Sequence, residues 1–245
     1  MSMGKLIVVD GVADGCGKTT VVNILNDEYR KVHYNSNILI TKACGGSPVS
    51  KMFRETYLNN NGTESDNTPM SLMFQFTQMI AGIVELSEYV IKPALARGEN
   101  VIVDRWWISS YAYQIYGTSL FNSVIPFFID VVKELPIPDF TVICHASHRT
   151  CATRIMERDV KELNKFDELA LSEINRIRDG YEFLIGMNQD NFYDKYLLSS
   201  TPLKSYLCKR DFMLNVINTD LDIKDVIIQL KDVINLLTNK DGLND

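Results

Sequence analysis

The sequence has no excess of basic residues, because 31 aspartates and glutamates outnumber 25 lysines and arginines. The formal net charge is −6. Proteins that bind nucleic acid or an anionic membrane usually present a basic surface, so this charge balance argues against both kinds of partner. Where basic residues do cluster, we expect them to serve a small anionic substrate.

Cysteine and histidine are too few and too scattered to suggest a covalent framework or a metal centre. An odd number of cysteines without a C-x-x-C pair argues against disulfides and structural zinc, and it predicts reduced thiols in a cytoplasmic protein. His145 and His148 lack the carboxylate or thiol cluster that would complete a metal site. We expect no signal peptide and no transmembrane segment, because no apolar run reaches membrane-spanning length. The cysteines are Cys16, Cys44, Cys144, Cys151 and Cys208.

Short apolar segments alternate with helical patterns along the 245 residues. Continuously apolar strands separated by helices indicate an α/β fold, a parallel sheet covered by helices on both faces. The length suits one domain, 1–245, without a linker. The predicted strands are Leu6–Asp10, Asn37–Thr41, Val101–Asp104, Phe140–Cys144 and Phe212–Asn218. The predicted helices are Thr20–Tyr29, Met70–Arg97 with a kink or break at Pro93, His148–Arg158, Leu171–Met187 and Ile223–Leu237.

A glycine-rich turn, Gly11 to Gly17, joins the first predicted strand to the first helix. A strand, a glycine loop ending in Gly-Lys-Thr and a helix are typical of a P-loop, which binds phosphates through backbone N–H groups and the helix dipole. Lys18 would neutralise the β- and γ-phosphates of ATP, and the Thr19 hydroxyl would ligate Mg²⁺. The predicted ATP-binding residues here are Gly15, Cys16, Gly17, Lys18, Thr19 and Thr20.

The loop departs from the standard spacing G-x-x-x-x-G-K-[ST]. That pattern requires glycine at Val12, and the glycine lies one residue earlier, at Gly11. Either the loop carries one extra residue, or Val12 replaces the first glycine. A glycine turn without a ligand is the alternative interpretation, which the Gly-Lys-Thr sequence at this position disfavours.

Asp104 and Arg105 come directly after the apolar run of the third predicted strand. An acidic residue at the carboxyl end of a core strand is where P-loop enzymes hold Mg²⁺. An arginine beside it would bring a second phosphate group next to the metal. The alternative is an Asp-Arg pair that only caps the following helix.

At this segment the chain resembles the thymidylate kinase family of nucleoside monophosphate kinases. Asp104-Arg105-Trp106 and Ser109-Ser110-Tyr111-Ala112-Tyr113-Gln114 are similar to its motif, which reads D-R, an aromatic residue or histidine, two variable residues, then S-[ST]-x-A-Y-Q. Segment 90–98 resembles the family's VIKPALxxG, and segment 41–47 resembles T-R-E-P-G-G-T. The likeness extends over nearly the whole chain.

The resemblance implies a P-loop kinase fold with a short lid, about 150–168. It implies transfer of the ATP γ-phosphoryl group to a deoxynucleoside monophosphate, best matched by dTMP, with Mg²⁺ at Thr19 and Asp104. It also implies a homodimer. The catalytic residues would be Lys18, Arg105, Arg154 and Arg158, and Asn218 would border the adenine. The acceptor would be bound by Asp14, Arg54, Phe74, Gln78, Arg105, Tyr113 and Gln114.

Several residues depart from the family pattern. Lys42-Ala43-Cys44 replaces Arg-Glu-Pro, and His145 stands where the family often has aspartate. The segment 72–88 is several residues longer than usual. Phe74 matches the phenylalanine that stacks on the base, but Gln78 replaces the arginine expected four residues later.

Three other functions stay open on the sequence alone. A kinase for a nucleoside or another monophosphate is the first, although a nucleoside acceptor would not need two phosphate-binding arginines. A GTPase would need an N-K-x-D motif, and Asn239-Lys240-Asp241 lacks the spacer residue. A non-catalytic nucleotide-binding relative is the third, because of the altered loop.

Overall fold

A five-stranded parallel sheet lies at the centre of the computed structural model, which describes residues 3–34, 38–59, 70–157, 171–187 and 214–238. Its strand order is β2-β3-β1-β4-β5, so the chain crosses over between neighbouring strands. The predicted parallel α/β fold is confirmed. The strands are β1 Leu6–Gly11, β2 Leu39–Lys42, β3 Val101–Asp104, β4 Phe140–His145 and β5 Leu214–Asn218.

Helices connect the strands, and two helical segments have the wider π-helical turn. The π-helical segments are π1 Ser87–Ile91 and π2 Tyr111–Ile115. The α-helices are α1 Lys18–Val32, α2 Pro48–Asn59, α3 Leu72–Leu86, α4 Lys92–Ala96, α5 Trp107–Ser110, α6 Phe121–Glu134, α7 His148–Met156, α8 Leu171–Met187, α9 Ile223–Gln229 and α10 Lys231–Thr238. None of the helices within the described ranges has both the length and the hydropathy to cross a membrane.

Each face of the sheet is covered by its own apolar cluster. Alternate side chains of a strand point to opposite faces, so Leu6 and Val8 join one cluster while Ile7 and Val9 join the other. The first cluster includes residues of α3, α6 and α8, and the second includes residues of α1 and α10. Burial of both faces explains why the strands read as unbroken apolar runs.

The long helix predicted for Met70–Arg97 is divided into α3, π1 and α4. The division comes just before Pro93, which lacks an N–H donor and would clash with the carbonyl four residues earlier. In π1 the Lys92 N–H donates to the Ser87 carbonyl, five residues back, so the wider turn accommodates the proline.

Other predicted boundaries shift by a few residues. Leu171–Met187 and Val101–Asp104 match the expectation at both ends. Helix α6 was not predicted, and the predicted last helix is interrupted at Leu230. Most of the loop expected at 59–67, and the unassigned stretch 190–210, lie outside the described residues.

The carboxyl ends of the central strands place the phosphate loop beside the Asp-Arg segment. Strand β1 pairs with β3 on one side, with Val9 opposite Asp104, and with β4 on the other. Ligands of open parallel sheets bind at such carboxyl ends. A ligand site is therefore expected at this edge of the sheet.

Candidate active site

Gly11 ends β1 and begins the glycine-rich loop that leads to α1. A side chain at Gly11 would place its Cβ 2.3 Å from Cys16 Sγ and 3.0 Å from the Cys144 carbonyl oxygen, so this crowded position requires glycine. Gly15 and Gly17 have φ values of 77° and 90°, which also favour glycine. The crowding at Gly11 favours an extra residue in the loop over replacement of the first glycine by Val12.

Lys18 is buried inside this loop. Its Nζ donates to the Ala13 carbonyl at 2.9 Å and lies 3.7 Å from Asp14 Oδ1. Burial lowers the pKa of Lys18, but the neighbouring Cys16 and Asp14 raise it, and the net pKa lies above the ordinary lysine value. The loop therefore holds a permanent positive charge at the helix N-terminus, as phosphate binding requires.

Arg105 adopts a left-handed backbone conformation, φ 68°, directly after β3. Its guanidinium is ion-paired with Asp14 and lies 4.0 Å from Asp10 Oδ1. It also stacks over the Tyr113 ring, 5.2 Å from the ring centroid. Left-handed backbone is unusual for a non-glycine residue, and its cost is tolerated at sites where side-chain direction matters. Two carboxylates thus orient the arginine between the P-loop and π2.

Asp10 was not predicted as a site residue, yet it organises both halves of the site. The carboxylate is fully buried. It accepts hydrogen bonds from the Gly11 N–H at 2.8 Å and the Trp106 N–H at 3.2 Å. It also accepts from the hydroxyls of Ser109 at 2.7 Å and Tyr181 at 2.8 Å. A carboxylate at the end of an otherwise apolar strand was the available sequence signal.

Asp104 has an oxygen suited to a metal ion. Among the described residues, its buried Oδ1 has no hydrogen-bond partner, and its Oδ2 lies 3.9 Å from Lys42 Nζ. Thr19 is exposed at the start of α1 and lines the same open cleft, of about 720 Å³. A carboxylate and a hydroxyl are oxygen ligands of the kind that Mg²⁺ prefers. The predicted metal residues therefore fit Mg²⁺.

Three cations lie together beside this cleft: Lys42, Arg54 and Arg105. Burial lowers the pKa of Lys42, and the charge of Arg54 lowers it further. Burial also lowers the pKa of Arg54, with Arg105 as the next cause. Cations that repel one another at short range make a site of high affinity for a multiply charged anion such as a phosphate monoester.

The two predicted base-contacting residues differ in their surroundings. Gln78 is buried on α3, and its Oε1 has no hydrogen-bond partner in the described structure. The Gln78 carbonyl oxygen accepts from Cys44 Sγ at 3.9 Å, which places α3 against the loop after β2. Phe74, one turn earlier, is 48% exposed. Gln78 therefore has an unused acceptor in the interior, whereas Phe74 lies near solvent.

Tyr113 and Gln114 lie on π2, the segment that follows the Asp-Arg pair. Tyr113 contacts Arg105, and burial raises the pKa of its hydroxyl to about 12. Gln114 is almost fully buried. The structure thus brings Asp14, Arg105 and Tyr113 together.

On the donor side, Arg154 contacts the outside of the P-loop. Its guanidinium donates to the Gly15 carbonyl at 3.3 Å and the Thr219 carbonyl at 2.7 Å. The Thr219 hydroxyl donates to the Cys16 carbonyl at 2.7 Å. Asn218 is exposed and accepts from the Asp220 N–H. Arg158 and residues 158–168 of the predicted lid lie outside the described residues, so the predicted pairing of the two arginines stays a prediction.

Comparison with known proteins decides the family. The family model for thymidylate kinase matches residues 9–201. The thymidylate kinase of Bacillus pumilus is 30% identical over 190 residues, which cover 78% of this chain and 86% of that protein. That of Wolbachia pipientis from Culex pipiens is 31% identical over 176 residues, 72% of this chain and 78% of the relative. The chain belongs to the thymidylate kinase family.

A solved structure confirms the fold. The crystal structure of thymidylate kinase from Ehrlichia chaffeensis aligns with a TM-score of 0.63 at 22% sequence identity. The alignment covers 96% of this chain and 99% of that one. The predicted P-loop kinase fold is therefore confirmed.

Three of this chain's departures from the thymidylate kinase family pattern are Lys42, Cys44 and Gln78, and Lys42 lines the cleft. Lys42, in place of the family's arginine, faces Asp104. Cys44 has a left-handed φ of 54° and packs against α3, where a Cβ on Gly82 would lie 2.4 Å from its Sγ. Gln78, in place of the second arginine, touches the same cysteine. The replacements at Cys44 and Gln78 are thus neighbours in space.

Proposed function

We propose that this chain transfers the γ-phosphoryl group of ATP to dTMP, giving ADP and dTDP. One observation carries the proposal: Asp14 of the P-loop pairs with both Lys18 and Arg105. Lys18, which would bind the donor phosphates, and Arg105, which would bind the acceptor phosphate, are thereby held at one carboxylate. Phosphoryl transfer requires this closeness, because the enzyme acts mainly by positioning the two substrates and neutralising charge.

The donor would bind along the P-loop. The loop N–H groups and Lys18 would hold the β- and γ-phosphates, with Gly15, Cys16, Gly17 and Thr20 forming the surrounding backbone. The contacts of Arg154 with Gly15 and Thr219 place its charge beside this loop. Arg154 would then close on the donor by a small rotation of its side chain.

Thr19 and Asp104 would hold Mg²⁺. Bound there, the ion would neutralise phosphate charge as the γ-group is transferred. Lys42, whose Nζ lies 3.9 Å from the other Asp104 oxygen, would help to orient that carboxylate.

The acceptor phosphate would lie between Arg54 and Arg105. Both arginines present planar donor pairs that fit phosphate oxygens in a two-point contact. Burial and then the charge of Arg105 lower the pKa of Arg54, and a phosphate dianion would relieve the repulsion between the two arginines. An acceptor without a phosphate would leave that repulsion in place, which disfavours a nucleoside substrate.

The acceptor base would contact Gln78. Its buried Oε1 can accept from the N3–H of thymine, while its amide N–H group can donate to a ring carbonyl. An arginine could only donate. The same amide could pair with other bases, so we expect weaker discrimination between monophosphates than an arginine would give.

The homodimer implied by the family is also part of this proposal. Sedimentation velocity of the purified chain would measure its mass in solution. A mass near 56 kDa, twice the 27.9 kDa chain, supports the dimer, and a mass of one chain contradicts it.

An assay of ADP release against a panel of nucleosides and monophosphates tests the function. We expect turnover with dTMP to exceed turnover with other monophosphates, and no turnover with thymidine. Preference for a nucleoside would contradict the acceptor assignment. Absence of ADP release with every acceptor, together with ATP binding, would identify a non-catalytic relative.

A further inference from the structure

The end of π2 is held by a side chain from another helix. Arg176 of α8 donates from Nη1 to the carbonyls of Ala112, at 3.1 Å, and Tyr116, and from Nη2 to the carbonyl of Tyr113 at 3.0 Å. The last carbonyls of a helix lack partners within the helix. A planar guanidinium can satisfy three of them at once, which a lysine ammonium cannot do with the same geometry.

Two glycines allow α8 and π2 to approach closely. A Cβ on Gly180 would lie 3.0 Å from the Ala112 Cα. Gly117, which ends the segment with φ 65°, would place a Cβ 3.0 Å from Arg176 Cγ. Neither contact leaves room for a displacement of π2 toward α8. The arginine therefore holds the carbonyls at the end of π2, and the two glycines permit the close spacing of π2 and α8.

The same helix also reaches the other side of the site. The hydroxyl of Tyr181, five residues after Arg176, donates to the Asp10 carboxylate at 2.8 Å. Asp10 in turn holds Ser109, at the end of α5 just before π2. Helix α8 thus holds the segment from Ser109 to Tyr116 at both ends. Tyr113 is held through its carbonyl by Arg176, and its ring contacts Arg105.

We propose that Arg176 is a positioning residue for the acceptor site. By capping π2 it sets the positions of Tyr113 and Gln114 relative to Arg105. This inference rests on the proposed acceptor role of those residues. No hydrogen bond of Arg176 in the described structure reaches the P-loop, so the donor site does not depend on it directly.

The test is steady-state kinetics of Arg176→Lys with dTMP and ATP varied separately. We expect the KM for dTMP to rise by about tenfold or more, because hydrogen bonds to π2 are lost. The KM for ATP should stay within about twofold. Glu173→Gln is the matched control: it removes the charge of the half-exposed carboxylate that lies 3.0 Å from Arg176 Nε and Nη2 but leaves the guanidinium itself in place, and both constants should be unchanged. An unchanged KM for dTMP, or an equal rise for both substrates, overturns the proposal.

Gly117→Ala provides a second variant that keeps every charge. Its new methyl group would press on Arg176 Cγ, so the same selective rise in the KM for dTMP is expected. If Arg176→Lys folds poorly, the KM values of Gly117→Ala for dTMP and ATP test the proposal in its place.

Thermal shifts separate the proposal from the function on which it rests. The wild type should be stabilised by dTMP alone and by ATP alone, and Arg176→Lys should lose mainly the dTMP shift. A wild type that dTMP does not stabilise contradicts the acceptor assignment itself. A wild type that responds, with a variant that responds equally, contradicts the role of Arg176 alone.

Discussion

Single charged residues determine where each substrate can bind. Lys18 and Arg105 share the carboxylate of Asp14, and neither cation is free to drift into solvent. A buried cation that is already paired loses little entropy when it turns to a phosphate. The P-loop and the Asp-Arg segment matter because they fix where these charges lie, and not because of how many charges they contain.

Lys18→Ala should lower kcat by about two orders of magnitude or more, the scale of losing one electrostatic contact to the transition state. The measurement is ADP release at saturating dTMP and ATP. Lys31→Ala, which changes an exposed lysine on the same helix, should have no effect. Turnover of Lys18→Ala close to that of the wild type would contradict the donor site.

Arg54→Lys and Arg105→Lys should each raise the KM for dTMP or lower kcat, with little change in the KM for ATP. Lysine keeps the charge but loses the two-point geometry toward phosphate. Arg97→Lys, an exposed replacement of the same kind, should behave as the wild type. If the KM for ATP rose as much as that for dTMP, the two arginines would belong to the donor site instead.

Gln78→Ala should lower kcat/KM for dTMP by roughly 10- to 200-fold, the effect of losing one buried polar contact to the substrate. The reason is the buried Oε1, which has no partner among the described residues. Thr77→Ala, at an exposed neighbouring position, is the control. If the kcat/KM values of the variant for the different monophosphates equal those of the wild type, some residue other than Gln78 contacts the base.

At the scale of elements, the strands and the P-loop could be predicted because their patterns are local. Val101–Asp104 and Gly15 to Thr19 carry their signals within a few residues. The role of Asp10 could not be predicted, since three of its four donors come from segments 96 to 171 residues away. Helix α6 contains Pro126, which weakens any local helix signal. Long-range contacts, not local patterns, complete the site.

The hydrogen bond between Tyr181 of α8 and Asp10 of β1 makes a measurable contribution to the free energy of unfolding. Tyr181→Phe removes the hydroxyl that donates to Asp10 but keeps the ring packing, so the free energy of unfolding should fall by about 1 kcal/mol. Chemical denaturation measures it. Tyr89→Phe removes an exposed hydroxyl and should leave stability unchanged. Equal stability of the Tyr181 variant and the wild type would mean that Asp10 is satisfied by its other donors alone.

At the scale of the whole molecule, the sheet and its helices enclose the four thiols that lie within the described residues. Cys16, Cys44, Cys144 and Cys151 are unpaired in disulfides and buried around the P-loop and the β2 loop. Burial raises the pKa of Cys44 to about 11 and that of Cys151 to about 11, so both stay protonated at neutral pH. Thiolate is the reactive form, and these two thiols are therefore doubly protected, by packing and by protonation.

We therefore expect a large difference in thiol reactivity between the folded and unfolded chain. In the native protein the four buried cysteines should react slowly with a chromogenic disulfide reagent at pH 7, and in guanidinium all should react at once. Because access requires the sheet and its helices to separate, the slow rate should fall further when ATP and dTMP bind and stabilise the fold. A single-cysteine variant retaining Cys144, which is fully buried, serves as the reference for core opening. Rapid reaction of all four thiols in the native state would contradict the packing described for this edge of the sheet.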